Sequence, residues 1–282
     1  MSNSSKNVLI LGFGPFISSI LTDSIVFNIV SNRCPASLAE KCVSYSNVEK
    51  ILESNSLINY ILIGTRLDLL TDSDKSKVVE LLLKSFTKHP GLKVIFLSSV
   101  SVYGERKTAN LESSSTDPIN AYGISKLDFE KFLLETFPEE KVCILRISNL
   151  FGITSFNDVV NIFARGCILG KTIRIPNVEV YRDFIHARHL KNFILAQLLD
   201  SEFHAGIYNF SSGESISVHN LATLIEETVG LKITRKSYSV DKEIIHSFID
   251  NSKISRISSF KSSDFNETLV EYLSQNMENL RV

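Results

Sequence analysis

The stretch Val94-Ile95-Phe96-Leu97-Ser98-Ser99-Val100-Ser101-Val102-Tyr103-Gly104 decides the fold class. Four apolar residues give way to small hydroxyl residues, the pattern of a buried parallel strand opening onto a site at its C-terminal edge. Similar runs recur at 7–11, 25–30, 59–64 and 141–147, separated by helix-like segments such as 75–88 and 121–136. That alternation predicts an α/β chain, a Rossmann-type doubly wound parallel sheet. In the 75–88 segment Val78, Leu81, Leu82, Leu83 and Phe86 lie between lysines and acids, an amphipathic face for packing on the sheet. The stretch 105–120 is rich in Ser and Thr and ends in Asp117-Pro118, which predicts a surface loop entering a helix. Beyond Asn149 the elements shorten, with a helix expected near 155–169, a strand near 172–175 and a last helix near 265–278.

A second segment, Tyr122-Gly123-Ile124-Ser125-Lys126, falls at the start of the 121–136 helix. Residues four apart share one helix face, so Tyr122 and Lys126 stand side by side. A free tyrosine titrates near ~10, and a neighbouring ammonium favours its phenolate. Tyr122 then exchanges a hydroxyl proton while Ser99 holds the same oxygen. A hydride must come from a nicotinamide, since no side chain supplies one.

On these residues the sequence resembles the extended short-chain dehydrogenase/reductase family, the nucleotide-sugar epimerases, dehydratases and reductases. Ser99, Tyr122 and Lys126 match its catalytic positions. Further matches follow in family order: Val8-Leu9-Ile10-Leu11-Gly12, Leu145-Arg146-Ile147-Ser148-Asn149-Leu150-Phe151-Gly152, Tyr181-Arg182-Asp183-Phe184-Ile185-His186 and Tyr208-Asn209-Phe210-Ser211-Ser212-Gly213-Glu214. The resemblance implies a dinucleotide-binding domain over 1–150, with 183–200 returning to it, and a smaller substrate lobe over 151–282. It also implies a homodimer through helices beside the catalytic one, where Leu127, Phe129, Phe132 and Leu133 serve either a core or a contact.

The cofactor half departs from that pattern. The family's three glycine positions hold Gly12, Pro15 and Ser18, and Gly14 adds a flexible residue. Pro15 suits the first helical position, the amides of Phe16 and Ile17 are expected to face an anion, and Ser18 is expected to pack between helix and strand. The acid that grips the adenosine ribose is expected about twenty residues past the first glycine. Ser31, Asn32 and Arg33 stand there instead, and Ser44-Tyr45 where an aspartate near adenine is usual. With no carboxylate to repel a phosphate and a guanidinium to bind one, NADP is favoured over NAD. Gly64, ending the 59–64 run, completes the cofactor set.

On the substrate side, Asn149 and Arg182 match positions that contact the nucleotide diphosphate or its sugar. Arg182 is alternatively the partner of Glu179. His186 reads as packed rather than catalytic, and Arg66 as a cleft-edge cation. Where many relatives carry an arginine for the diphosphate, Ser239-Val240-Asp241-Lys242 offers only Lys242.

Composition sets the outer limits. In 282 residues, 30 basic against 31 acidic side chains leave a net charge of −1, so neither nucleic acid nor an anionic membrane surface is an expected partner. The apolar stretch 8–21 is broken by Gly12, Gly14 and Pro15 and reads as strand and turn rather than a signal sequence. No run reaches transmembrane length. Cys34, Cys42, Cys143 and Cys167 lack C-x-x-C spacing, which predicts reduced thiols in a cytoplasmic protein. No cluster has metal-ligand spacing, so no metal is expected.

These readings converge on an oxidoreductase acting on a nucleotide-linked sugar, foremost a keto-sugar reductase with exchangeable NADPH. Dehydratases place Asp and Glu after the serine position, where Val100 and Ser101 stand here. The alternatives are an epimerase with tightly held NAD, using the same three residues, and a catalytically inactive Rossmann protein that binds a nucleotide or partner.

Overall fold

The computed structural model describes residues 6–21, 26–53, 57–200, 202–241, 243–257 and 265–281, so Lys242 lies outside the described residues. In chain order the strands and helices are β1 (Asn7–Leu11), α1 (Pro15–Ile20), β2 (Val26–Val30), β3 (Cys42–Val43), α2 (Glu49–Glu53), β4 (Tyr60–Ile63), α3 (Asp72–Lys88), β5 (Lys93–Ser99) and α4 (Ala121–Thr136). There follow β6 (Val142–Ile147), β7 (Asn149–Phe151), α5 (Val159–Ile168), β8 (Ile173–Pro176), β9 (Tyr181–His186), α6 (Ala187–Leu199), β10 (Gly206–Phe210), β11 (Ser215–Ser217), α7 (Val218–Val229), β12 (Arg235–Tyr238) and α8 (Phe265–Asn276).

Seven strands form one sheet in the order β10-β6-β5-β4-β1-β2-β3. From β3 through β2, β1 and β4 to β5 every described pairing is parallel. The order runs outward from β1 in both directions, which is the doubly wound topology, and the carboxyl ends of β1 and β4 flank its switch point. Tyr60-Ile61-Leu62-Ile63 is buried throughout, as a strand covered on both faces must be.

The chain divides into two compact units. The first comprises 1–98, 124–145 and 194–207, and the second 99–123, 146–193 and 208–282. The division is interleaved, with the chain changing unit inside β5, α4, β6, α6 and β10; the sequence reading expected a dinucleotide-binding domain over 1–150 with 183–200 returning to it and a lobe over 151–282.

In the first unit Leu9, Leu11, Ile61, Ile63, Val94 and Phe96 from the sheet pack with helical residues of α3 and α4, among them Val78, Leu81, Leu82, Phe129 and Leu133. Thr71 caps α3 by accepting from Asp74 N at 3.1 Å, with Asp72 and Asp74 in the first turn and Lys88 in the last. Leu83 is exposed, against expectation, because the 3.6-residue period aligns 78, 81, 82 and 85 and turns 83 outward. On α4, Phe129 and Leu133 serve the core, while Ile124 and Leu134 are exposed.

The second unit has a three-stranded sheet, β11-β9-β7, and a parallel pair, β12-β8. Its core gathers Phe151, Phe163, Phe184, Leu221, Ile225, Leu269 and Leu273 from β7, β9, α5, α7 and α8.

One expectation is corrected. Cys34 and Cys42 form a disulfide with Cα atoms 6.5 Å apart, while Cys143 and Cys167 are buried thiols outside that bond. Sequence spacing does not reveal this pairing, because it arises when β3 lines up beside β2 with Cys42 opposite Ile29. None of the described helices is long and apolar enough to cross a membrane. Among the described residues, no group of three or more His, Cys, Asp or Glu is placed to hold a metal ion.

Candidate active site

The cofactor candidates of the first unit meet at the carboxyl ends of adjacent strands. Gly12 N donates to Val30 O at 2.8 Å, Gly64 N to Leu11 O at 2.9 Å and Ser31 N to Val43 O at 2.9 Å. Gly12 has φ +95°, and a Cβ there would stand 2.5 Å from Thr65 Oγ1. The inner side of the turn is therefore closed by β4. A Cβ on Gly14 meets nothing within 4 Å, so the outer side is open. A closed inner and open outer side fit a dinucleotide pyrophosphate laid across the turn.

Pro15 opens α1 at its first position, and the first helical bond is Ser18 N to Gly14 O at 2.9 Å. The amides of Phe16 and Ile17 precede that ladder, and both side chains are buried. Ser18 points to solvent, so it is not the close-packing position expected of it. Ile17 fills that role by packing onto Gly64.

Ser31 is buried, and its hydroxyl accepts from Arg33 N at 3.1 Å. Asn32 accepts from Tyr45 N at 3.3 Å and donates to Asp74 Oδ2 at 3.1 Å. The end of β2 lacks its own acid, yet the fold brings a carboxylate to it from the first turn of α3. Arg33 is exposed. Tyr45, in place of the expected aspartate, is buried with its hydroxyl 2.7 Å from Thr65 Oγ1, and burial pushes it up to about 12.

Lys126 is also deep in the first unit. Its Nζ donates to Leu97 O at 2.7 Å and Thr65 O at 3.2 Å, and lies 4.8 Å from the Phe96 ring centre. Burial, seconded by the Arg66 charge and opposed by Asp68 and Glu130, pushes its ammonium down to about 8. Arg66 is held by Asp68 through two bonds of 2.8 and 2.6 Å.

Ser99 and Tyr122 belong to the second unit. Ser99 ends β5 and accepts from Ser101 N at 3.2 Å, capping the tight turn Val100–Tyr103. Gly123, beside Tyr122, lies against that turn: a Cβ there would be 2.7 Å from Ser101 O and 2.9 Å from Pro118 Cβ. Asn120 caps the start of α4 by accepting from Gly123 N at 2.8 Å. Glycine thus lets the Tyr122 segment approach the Ser99 turn, and Lys126 follows one helical turn later on α4.

Asn149 and Arg182 stand on neighbouring strands, β7 and β9. Asn149 donates to Asp183 O at 2.8 Å, and Arg182 to Tyr181 O at 2.9 Å and Ile245 O at 3.5 Å. Burial lowers the Arg182 pKa, and Glu243 opposes the shift. Glu179, the alternative partner for Arg182, lies 3.6 Å from His219. His186 is packed against Phe151, accepts from Arg188 N at 3.0 Å and is pushed down to about 4 by burial.

Sequence reasoning missed several supporting groups in the second unit. Buried Asp183 accepts from Ser212 N, Ser212 Oγ and Gly213 N at 2.9–3.0 Å, and burial raises it to about 6. Tyr103 donates to Asn209 Oδ1 at 2.5 Å and accepts from Arg146 at 3.0 Å. The loop expected at 105–120 is tied down: Glu105 pairs with His246 at 2.6 Å, and Glu112 accepts from Asn209 N at 2.9 Å. All of these residues except His246 lie inside a quoted motif or loop, but nothing in linear spacing reveals their partners.

The family model described as the NAD dependent epimerase/dehydratase family matches residues 71–210. That range includes Ser99, Tyr122, Lys126, Asn149 and Arg182. A dTDP-4-dehydro-6-deoxyglucose reductase from Escherichia coli is 33% identical over 162 residues, covering 55% of this chain and 50% of that protein. An N-acetyl-alpha-D-glucosaminyl-diphospho-ditrans,octacis-undecaprenol 4-epimerase from Escherichia coli O157:H7 is 26% identical over 155 residues, covering 54% of this chain and 46% of that protein. The chain spans about half the length of the curated relatives it matches. The UDP-glucose 4-epimerase of Thermus thermophilus, solved in complex with NAD, has the same fold, with a TM-score of 0.77 at 17% identity over 98% of this chain and 99% of that one.

Proposed function

The chain belongs to the NAD dependent epimerase/dehydratase family through residues 71–210, and from that premise we propose that it is an oxidoreductase for a nucleotide-linked sugar, a keto-sugar reductase using exchangeable NADPH. The observation that carries the reading is the approach of the Gly123 backbone to the Ser99 turn, with Tyr122 beside it and Lys126 one turn on. In this mechanism Ser99 donates a hydrogen bond to the keto oxygen and fixes its position. Tyr122 gives that oxygen its phenolic proton as it becomes a hydroxyl. Lys126, anchored by Leu97 O and Thr65 O, stabilises the resulting phenolate and holds the nicotinamide ribose. Gly12, Gly14, Phe16, Ile17, Ser31, Asn32, Arg33 and Gly64 would hold the dinucleotide, which supplies the hydride when bound.

Asn149 and Arg182 would meet the nucleotide diphosphate. Exposed Arg33 supports NADP, as the group free to meet a 2′-phosphate, although Asp74 brings an opposing charge to the same turn. The similarity to the Escherichia coli reductase supports reduction, and Val100 and Ser101 replace the acids that water elimination needs. A homodimer through α4, which exposes Ile124 and Leu134, and a cytoplasmic location belong to the same proposal.

A second reading, epimerisation with tightly held NAD, draws on the similarity to the two 4-epimerases. The deciding experiment is a screen of nucleotide-sugars with NADPH and with NADH, with product identification by mass and NMR. A reductase consumes NADPH stoichiometrically and purifies nearly free of cofactor. An epimerase converts substrate without net consumption and releases NAD on denaturation. No product from any nucleotide-sugar would overturn both readings.

A further inference from the structure

We propose that Glu130 is a positioning residue for Lys126: its buried carboxylate, fixed by the Ser98 hydroxyl, is the counter-charge that keeps the ammonium seated on the carbonyls of Leu97 and Thr65. The inference rests on the functional reading above, which gives Lys126 its task, and adds a residue that reading leaves unused.

The three side chains lie deep in the first unit: Lys126 is 3% exposed, Glu130 1% and Ser98 3%. Lys126 and Glu130 are four apart on α4 and so share a helix face. Ser98 Oγ donates to Glu130 Oε1, and Lys126 Nζ donates to the oxygen of Leu97, the residue before Ser98 in β5. Successive β5 residues therefore receive the two α4 groups, one by its carbonyl and the next by its side chain. The ammonium has apolar surroundings as well: the Phe96 ring centre is 4.8 Å from Nζ, and Phe129 leans on Phe96 at 5.0 Å.

Charge decides which neighbour matters. Leu97 O and Thr65 O accept hydrogens from the ammonium but carry no net charge to match it, and a buried ion without an opposite charge tends to neutralise. Arg66 and Asp68 act on Lys126 from beyond β4, where they bind each other and the Arg66 side chain is 54% exposed. Tyr45, which reaches the Thr65 hydroxyl, is neutral because burial pushes it up to about 12. Tyr122 stands one turn before Lys126 on α4. Glu130 is bound by a neutral hydroxyl that does not offset its charge, and together with Asp68 it opposes the downward push of burial on Lys126. Pinned by Ser98, the carboxylate presents that charge in one place. Two charges this deep interact far more strongly than at the surface, so each makes the other's burial tolerable.

The test is an NMR titration of the full chain with isotope-labelled lysine side chains, the Lys126 signal being identified by its absence from Lys126→Arg. Glu130→Gln keeps the shape and an oxygen for Ser98 but removes the charge. Lys126, at about 8 in the parent, is expected to titrate about one pH unit lower in Glu130→Gln, the size of effect an opposite charge gives at close range. Glu130→Asp keeps the charge but withdraws it by one carbon; it is expected to fall between the two, and it carries the test if Glu130→Gln does not fold. Asp128→Asn removes a carboxylate from the exposed side of the same helix and is expected to leave Lys126 within about 0.2 of the parent. A parent-like Lys126 titration in Glu130→Gln, or in Glu130→Asp where that variant carries the test, overturns the assignment. So does an equal shift in Asp128→Asn. The titration needs no dinucleotide: a shift in a protein that converts no nucleotide-sugar upholds the pairing and overturns the functional reading, whereas conversion without a shift overturns the pairing alone.

Discussion

The Nζ of Lys126 lies 2.7 Å from the main-chain oxygen of Leu97, two residues before Ser99. The strand that ends in the serine therefore also anchors the lysine by its backbone, and no substitution at Leu97 removes that oxygen. The cost is burial, which brings the ammonium down to about 8, with Arg66 adding to the shift and Asp68 opposing it. Below about pH 8 Lys126 is charged and supports the Tyr122 phenolate; above it the charge is lost. Ketone reduction should accordingly decline as pH rises through about 8. Arg66→Gln removes a neighbouring cation and frees Asp68 from its pair, so the limb should move to higher pH, while Asp68→Asn should move it lower. A pH profile of kcat/KM identical in all three proteins would show that Lys126 does not set the limb.

Tyr122→Phe retains the ring and removes the proton donor. Hydride transfer should fall by at least about a hundredfold, in the range general acid catalysis contributes. Dinucleotide affinity should change little, because Gly12, Ser31 and Lys126 are untouched. Stopped-flow loss of NADPH absorbance gives the first quantity and titration the second. Unchanged turnover would remove Tyr122 from the mechanism.

Cofactor choice is a contest between exposed Arg33 and Asp74, whose carboxylate reaches Asn32 at 3.1 Å. Arg33→Ala should weaken NADPH about tenfold while leaving NADH nearly unaltered. Asp74→Asn should tighten NADPH by removing a like charge. An NADPH to NADH affinity ratio unmoved by Arg33→Ala would contradict the preference for NADP.

His186 gives acid stability a definite sign. Its ordinary value is near 6.5, and burial brings it to about 4 in the folded chain, with Arg188 and His189 adding to the shift. Between these values the unfolded chain holds a proton that the folded one refuses, so this contribution is present above about 6.5 and lost as pH falls towards 4. Asp158 and Asp183, raised to about 6, act oppositely below that value and are common to parent and variant. His186→Asn keeps an acceptor for Arg188 N, so the Tm gap between parent and variant should narrow from pH 7 to pH 4.5. Parallel melting curves across that range would refute the assignment.

Much of this architecture was legible because buried parallel strands are spelled as continuous apolar runs. The runs at 7–11 and 59–64 became β1 and β4, and 121–136 became α4 without adjustment. What linear spacing conceals is delivery across the sheet. Asp74 reaches the end of β2 from α3, and Tyr45 reaches Thr65 from beyond a strand of only two residues. The exposure of Leu83 and Ser18 follows from helical phase, which a list of apolar or small residues does not register. Partner choice among Glu105, His246, Glu112 and Asn209 depends on loops meeting strands, so sequence located the Ser99 turn but not its supports.

The Cys34–Cys42 disulfide closes a loop of separation 8 that includes the residues just past Ser31, Asn32 and Arg33. In the chain-entropy account a loop of that size contributes about 2–3 kcal/mol by restricting the unfolded chain. The expected result is two alkylated cysteines, Cys143 and Cys167, when the unreduced protein is alkylated under denaturing conditions, and four after reduction. Dithiothreitol should lower the parent's Tm towards that of a Cys34→Ser/Cys42→Ser protein, whose own Tm should not respond. A cytoplasm keeps most thiols reduced, so the outcome also bears on location. Four alkylated thiols in protein purified without reductant from a cytoplasmic extract, followed by two after mild oxidation, would mean that the bond forms only when the environment permits. Four under both conditions would remove the disulfide from the account of this loop, leaving the Ser31 N to Val43 O bond and the Asn32 contacts to hold it.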